Sequence, residues 1–344
     1  MSTAEKIDST PKSNLNQVSF PSRWGNAWNQ FWFQPRDPVM LGLIRIFTGC
    51  LVFYSQLIWT FELESFLGTE GMLPAEYRQL LFDDYAWSHF DWIQSSAVIW
   101  FVHWLGLAVV AMFTIGLWTR LTALLTAMLV ISYANRATGA LFGLDQIMAL
   151  LCLYLSIGNS GGAFSLDRWL RTWREQRRAS GQGRGVVQAE PVPLPRYVVE
   201  TSFAGAGAAD VLTNIATRLI QVHLCLIYFF AGLGKLQGET WWNGQAIWYS
   251  VASYEYQTLD LTWLADHMGW VSLLTFVTVF WEVTYPALIW SRLTRPIVLS
   301  IAVLTHLGIG LAMGMMTFGL VMLVANLSFV ELPIRHRNHR VPAV

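Results

Sequence analysis

The residue best placed to do chemistry in this chain is Lys235. It ends an apolar run in the stretch Tyr228-Phe-Phe-Ala-Gly-Leu-Gly-Lys-Leu-Gln-Gly-Glu-Thr-Trp-Trp-Asn-Gly244, and it is the only lysine after Lys12. A lysine in such a run must reach water, find a partner or react, because an ammonium facing hydrocarbon is costly. Gly232 and Gly234 would let another helix or a ligand come close to the backbone beside it. A partly dehydrated amine is a usable general base. The plain alternative is a lysine that only snorkels to the outer headgroups.

Other costly residues stand in apolar segments: Arg45, His103, Asp145, His223, Glu282 and His306, with Asn135 and Arg136 at a segment end. Counted at about 1.5 Å per residue, Asn135, Arg136, Asp145, Lys235 and His306 fall near one outer level. That grouping suggests a site opening outward, with Lys235 as base, His306 and Asp145 as polar support, and Trp241 and Trp242 as its cover. The same five could equally form a capping and snorkelling network that only stabilises a bundle. Arg45 and Glu282 count to similar depths near the inner face and have opposite signs, which reads as a structural ion pair. His103 and His223 read as satisfied interior histidines. Cys50, Cys152 and Cys225 lie in apolar runs without metal-ligand spacing, so no metal is expected. No phosphate loop, zinc motif or nucleophile elbow is present.

The elements that would hold these residues are membrane helices. Of 344 residues, 54% are apolar and 13% charged, against about a quarter charged in soluble domains. Eight apolar segments are expected to be spans: 38–61, 97–117, 119–134, 143–158, 214–234, 270–290, 296–312 and 315–331. The long run at the end is split near Met313-Gly314-Met315. With the N-terminus inside, only Arg45, Arg78, Arg136 and Lys235 of the 22 basic residues fall away from the cytoplasmic side. The loops 62–96 and 236–269 are strongly acidic, so both termini are expected in the cytoplasm. Trp24, Trp28, Phe31 and Trp32 predict a short helix on the membrane or capping the bundle. Leu166 to Arg178 predicts a basic interfacial helix. A disordered tail over 1–20, a Gly/Pro-rich linker over 179–212 and a cytoplasmic tail over 335–344 complete the expected layout around one domain, 21–334. The fold class is thus all-α, a polytopic membrane bundle bounded by the lipid bilayer. A formal net charge of +0 argues against nucleic acid as a partner.

Four passages, in order, resemble the horizontally transferred transmembrane (HTTM) domain, the membrane part of vitamin K-dependent gamma-glutamyl carboxylases. They are DPVMLGLIRIFTGCLVF (Asp37 to Phe53), NRATGALFGLDQ (Asn135 to Gln146), the Tyr228 to Gly244 stretch, and Glu282 through His306 to MTFGLVML (Met316 to Leu323). The resemblance covers roughly residues 37 to 330. It implies that Lys235 matches the base that deprotonates vitamin K hydroquinone, that His306 matches a histidine near the active site, and that Glu282 matches a family acid. The implied co-substrates are reduced vitamin K or another quinol, dioxygen and carbon dioxide. In that chemistry the quinol anion and oxygen give a strong base, which removes a glutamate γ proton so that carbon dioxide can add. The sequence departs from the family at Thr138, where a loop histidine is expected, and at Gly234-Lys235, where two lysines are.

The expected function is therefore an inner-membrane, carboxylase-like enzyme whose site faces outward to a protein or peptide substrate carrying glutamyl or other acidic groups. The rival is a non-catalytic membrane scaffold, or a lipid- or quinone-binding protein, that keeps the bundle without turnover. A transporter would require paired broken helices and a continuous polar path, and neither is visible in the sequence.

Overall fold

A computed structural model describes residues 20–74, 77, 86–182 and 209–331. The expected N-terminal tail apart from Phe20, the whole C-terminal tail and most of the expected linker lie outside the described residues. The described chain is helical, with one isolated bridge between the backbones of Arg36 and Asp210. In chain order the helices are α1 (Phe20–Phe33), α2 (Val39–Trp59), α3 (Leu63–Leu67), α4 (Ser96–Ile115), α5 (Thr119–Arg136), α6 (Gly143–Ile157) and α7 (Leu166–Gln182). They continue as α8 (Val211–Lys235), α9 (Glu239–Trp242), α10 (Ala246–Val251), α11 (Met268–Leu288), α12 (Arg295–Ala312) and α13 (Met316–Asn326).

A helix occupies each of the eight apolar segments, with ends displaced by a few residues, most of all at α13, which gives way to a 3-10 turn at Leu327–Phe329. Five helical stretches among the described residues are long and apolar enough to cross a membrane: Val39–Leu67, Ser96–Ile115, Val211–Lys235, Thr262–Leu288 and Arg295–Ala312. The outward faces of these helices carry Phe101, Phe230, Phe280 and Leu304, all exposed, while polar side chains such as Arg45, His103 and Glu282 are buried. Apolar outside and polar inside suits a multi-pass bundle in lipid, since a protein in water rarely exposes so continuous an apolar surface.

Local sequence sets the helix ends. Asp210 caps α8 by accepting from the Thr213 backbone N–H. Gly116 ends α4 in a left-handed conformation with φ +76°. Gly314, with φ +69°, makes the corner between α12 and α13, as the break at 313–315 predicted. Asp167, at the start of α7, accepts from the backbone N–H groups of Trp118 and Thr119, and so joins the amphipathic helix to the first turn of α5. The end of α1 is fastened to α8, because Asn214 donates to the Phe31 and Trp32 carbonyls. That end caps the bundle, while Trp24 and Trp28 stay exposed.

One expected pairing is corrected here. Arg45 does not meet Glu282. It is fully buried and forks into the segment before α7, donating from Nη1 to Ser160 O at 2.7 Å and from Nη2 to Phe164 O at 2.5 Å. Gly42, one turn before it, lies so close to this segment that a Cβ would stand 2.8 Å from Ala163 O. Equal depth counted from segment ends was a poor guide, because the chain after α6 folds back against α2 and brings its free carbonyls to the guanidinium first. A planar fork suits several carbonyls better than one ammonium does. Arg45→Met should therefore lower thermal stability in detergent by about 2–5 kcal/mol, as the buried carbonyls lose their donor. Arg45→Lys should restore only part of it. An unchanged melting temperature for Arg45→Met would show that this clamp is dispensable.

Candidate functional site

The Lys235 site is built where α8 ends against the middle of α11. The two helices run antiparallel: Arg218 lies by Trp290, Tyr228 by Tyr285, and Gly232 by Glu282 and Val283. A Cβ on Gly232 would meet Val283 N at 3.0 Å and Glu282 Cβ at 3.1 Å, so the glycine is what permits this approach. Three residues later Lys235 reaches across. Its Nζ donates to Glu282 Oε1 at 2.9 Å and lies 2.7 Å from Oε2. Both carboxylate oxygens thus lie within ion-pair distance of the ammonium. The side chains are 25% and 9% exposed.

This places Lys235 lower than its position at a segment end suggested. Glu282 is about 21 Å along α11 from its first residue, Met268. The chain after Lys235 continues beside that first part of α11. Gly244 packs on Ser272 and Phe276, and the Ile247 N–H donates to Thr275 Oγ1. The short helices α9 and α10 thus form a cap over the pair. Trp241 belongs to it, with Nζ 5.3 Å from its ring centroid, within range of a cation–π contact. Trp242 instead turns outward and donates to Leu236 O.

His306 stands in a second polar group on the same face of α8. Tyr228 and Lys235 are two helical turns apart, about 10 Å along the axis. The Tyr228 hydroxyl lies 2.7 Å from His306 Nε2 and accepts from Asn326 Nδ2 at 2.9 Å. Tyr285 donates to Asn326 Oδ1 at 2.7 Å. Tyr228 has one proton, and the arrangement that uses it sends it to His306 Nε2, which places the imidazole proton on Nδ1. That nitrogen is buried without a partner. Trp281 and Phe318 wall the imidazole at centroid distances of 6.4 and 6.0 Å.

The other expected members are elsewhere. Asn135 donates to Trp87 O, and Arg136 donates to Leu73 O and Gly68 O, so both fasten the segment between α2 and α4. Asp145 accepts from the Phe142 N–H and caps α6. The outer-level group therefore does not converge. Asn135 and Arg136 serve one loop and Asp145 another, because residues near helix ends usually have nearby free backbone groups to satisfy. Tyr228, Tyr285 and Asn326 were not singled out from the sequence, although the spacing Tyr228, Gly232, Lys235 puts three of the site's residues on one helical face. His103 is satisfied on both nitrogens, by Thr60 Oγ1 and Tyr133 OH, and His223 meets Tyr154 OH.

The fold and site together describe a helical bundle of membrane type with an ion pair in its interior. No family model, no curated protein and no solved structure matches the chain.

Since Gly232 sets the helix spacing, Gly232→Leu should push α8 from α11 and free the ammonium. The expected cost is about 1–3 kcal/mol from overpacking. Lys235 should then be acylated markedly faster by an amine reagent, read by peptide mass spectrometry. Equal labelling in both proteins would show that the close approach does not guard the amine.

Proposed function

We propose that this chain is an inner-membrane protein of the HTTM kind, crossing the bilayer eight times with both termini cytoplasmic, and that Lys235 and Glu282 form a quinol-dependent, carboxylase-like site opening outward. A helix at each of the eight apolar segments and the one-sided distribution of arginines support the layout. The observation that carries the chemical reading is the Lys235–Glu282 pair, set against an apolar bundle well along α11. Such a pair gains little stability over an apolar replacement, which favours a working role over a merely cohesive one.

The unused polar atoms fit a hydroxylated ring. His306 Nδ1 is a buried donor without an acceptor among the described residues, and Glu282 Oε2, 2.7 Å from Nζ, keeps lone-pair capacity for a second donor. A hydroxyl can serve either. Phe230 and Phe280, exposed on the lipid side of α8 and α11, offer an apolar approach to the pair. A bound quinol would supply an ionisable hydroxyl and, with dioxygen, the strong base needed to remove a glutamyl γ proton before carbon dioxide adds. The chain's part is proton handling. A proton arriving from a hydroxyl at Glu282 neutralises the carboxylate and leaves the Lys235 ammonium to hold the anion that remains. Moving the proton across the 2.9 Å bond makes Nζ the acceptor with the same outcome, so the two side chains share the role of base. Tyr228 fixes the His306 tautomer, and Trp241 shields Nζ from the outer side.

The test uses proteoliposomes holding the full chain, reduced vitamin K, a glutamyl peptide and labelled carbon dioxide. Epoxide and labelled peptide are expected, each falling at least about a hundredfold in Lys235→Ala and Glu282→Gln. Asn135→Ala should retain activity. No epoxide from the intact protein would remove the enzyme reading and leave the quinone-binding or scaffold role.

A further inference from the structure

At the opposite end of α8 from Lys235, a cavity of about 430 Å³ opens between the loop after α1, the first turns of α8 and the turn joining α11 to α12. Three guanidiniums line it, from Arg36, Arg218 and Arg295, against one carboxylate, Glu331. Glu331 pairs with Arg295 at 2.9 Å and is 58% exposed. Among the described residues lining it, three positive charges therefore share one negative one.

Neutral groups hold two of the arginines in place. Arg218 lies over the Phe31 ring at 4.3 Å and donates to Phe31 O and Gln221 Oε1. Arg295 donates to Ile289 O and Trp290 O besides its bond to Glu331. Arg36 is fixed by its backbone, which bonds Asp210 in both directions. Its guanidinium makes no hydrogen bond to any described residue. Burial draws the Arg36 guanidinium below its ordinary value, and Arg295 adds to this while Glu331 opposes it.

Guanidiniums positioned in advance by uncharged partners, and short of negative charge, form an anion site. Their planar forks match the oxygens of phosphate. The surroundings give the phosphate its source. Trp290, Phe31 and Phe329 form apolar walls, and Leu293 in the adjacent turn is exposed, as at a leaflet boundary. Basic pockets between helices at that level suit anionic lipid headgroups. We propose that this cavity binds the phosphate of an anionic phospholipid, with Arg36 as its uncommitted donor and Arg218 and Arg295 as its fixed ones.

The test is native mass spectrometry of the full-length, delipidated protein titrated with phosphatidylglycerol or phosphatidylcholine. Phosphatidylglycerol should bind at least about tenfold more tightly, and Arg36→Gln should weaken it about tenfold, as loss of one charged hydrogen bond implies. Arg36→Lys should fall between. Arg120→Gln, in the separate basic groove beside α7, should bind as the unaltered protein does. The Arg36 side chain makes no hydrogen bond to a described residue, so its variants should keep the fold, checked by thermal melting. Arg218→Gln gives a second reading. Equal binding of the two lipids, or binding indifferent to both Arg36→Gln and Arg218→Gln, would overturn the proposal. Inorganic phosphate that raises the melting temperature of the intact protein but not of Arg36→Gln, with no lipid preference, would assign the site to a soluble anion and overturn its lipid source.

Discussion

The close approach of α8 to α11 at Gly232 is the constraint on which the rest of the site depends. It lets a lysine at the last position of one helix meet a glutamate inside another, instead of reaching for water at the bilayer edge. Two charges taken from water need each other, and each would be strongly destabilising if left alone. The contact therefore fixes where α8 stops and where the chain must turn. The α9–α10 cap that follows Lys235 is laid along the part of α11 that α8 does not reach.

Below that contact the same helix face carries Tyr228, and through it the group of His306, Asn326 and Tyr285. Four helices, α8, α11, α12 and α13, each give this group one polar side chain. Among the described residues the network leaves one imidazole nitrogen, His306 Nδ1, without a partner. Buried polar groups are nearly always paired. An open imidazole nitrogen below a buried ion pair is thus a sharper indication of a ligand than either group's composition.

Much of the fold was legible in the sequence. Apolar run lengths gave the eight helical segments, and Met313-Gly314-Met315 gave the break in the last of them, since a single span cannot use so long a run. The partners were not legible. Arg45 and Glu282 were matched by counting along separate segments, but a count cannot foresee that the chain after α6 folds back under α2, or that α8 ends beside the middle of α11. Lys235 was singled out by its rarity and its glycines, and those same glycines held the answer: Gly232 marked the helix that brings its partner. Asn135, Arg136 and Asp145 shared a level without sharing a site, because each ends a helix and is used by the nearest loop. Asn326 and Tyr285 gave no signal, being ordinary polar residues in apolar runs until the fold brings them together.

The most direct test of this account is a double-mutant cycle on unfolding free energy in detergent, with Lys235→Met, Glu282→Met and both together. The account predicts that each single change costs about 3–5 kcal/mol by stranding its partner, while the double change costs far less than their sum. Costs that add to within about 0.5 kcal/mol would mean the two residues do not act as a pair, and would contradict it.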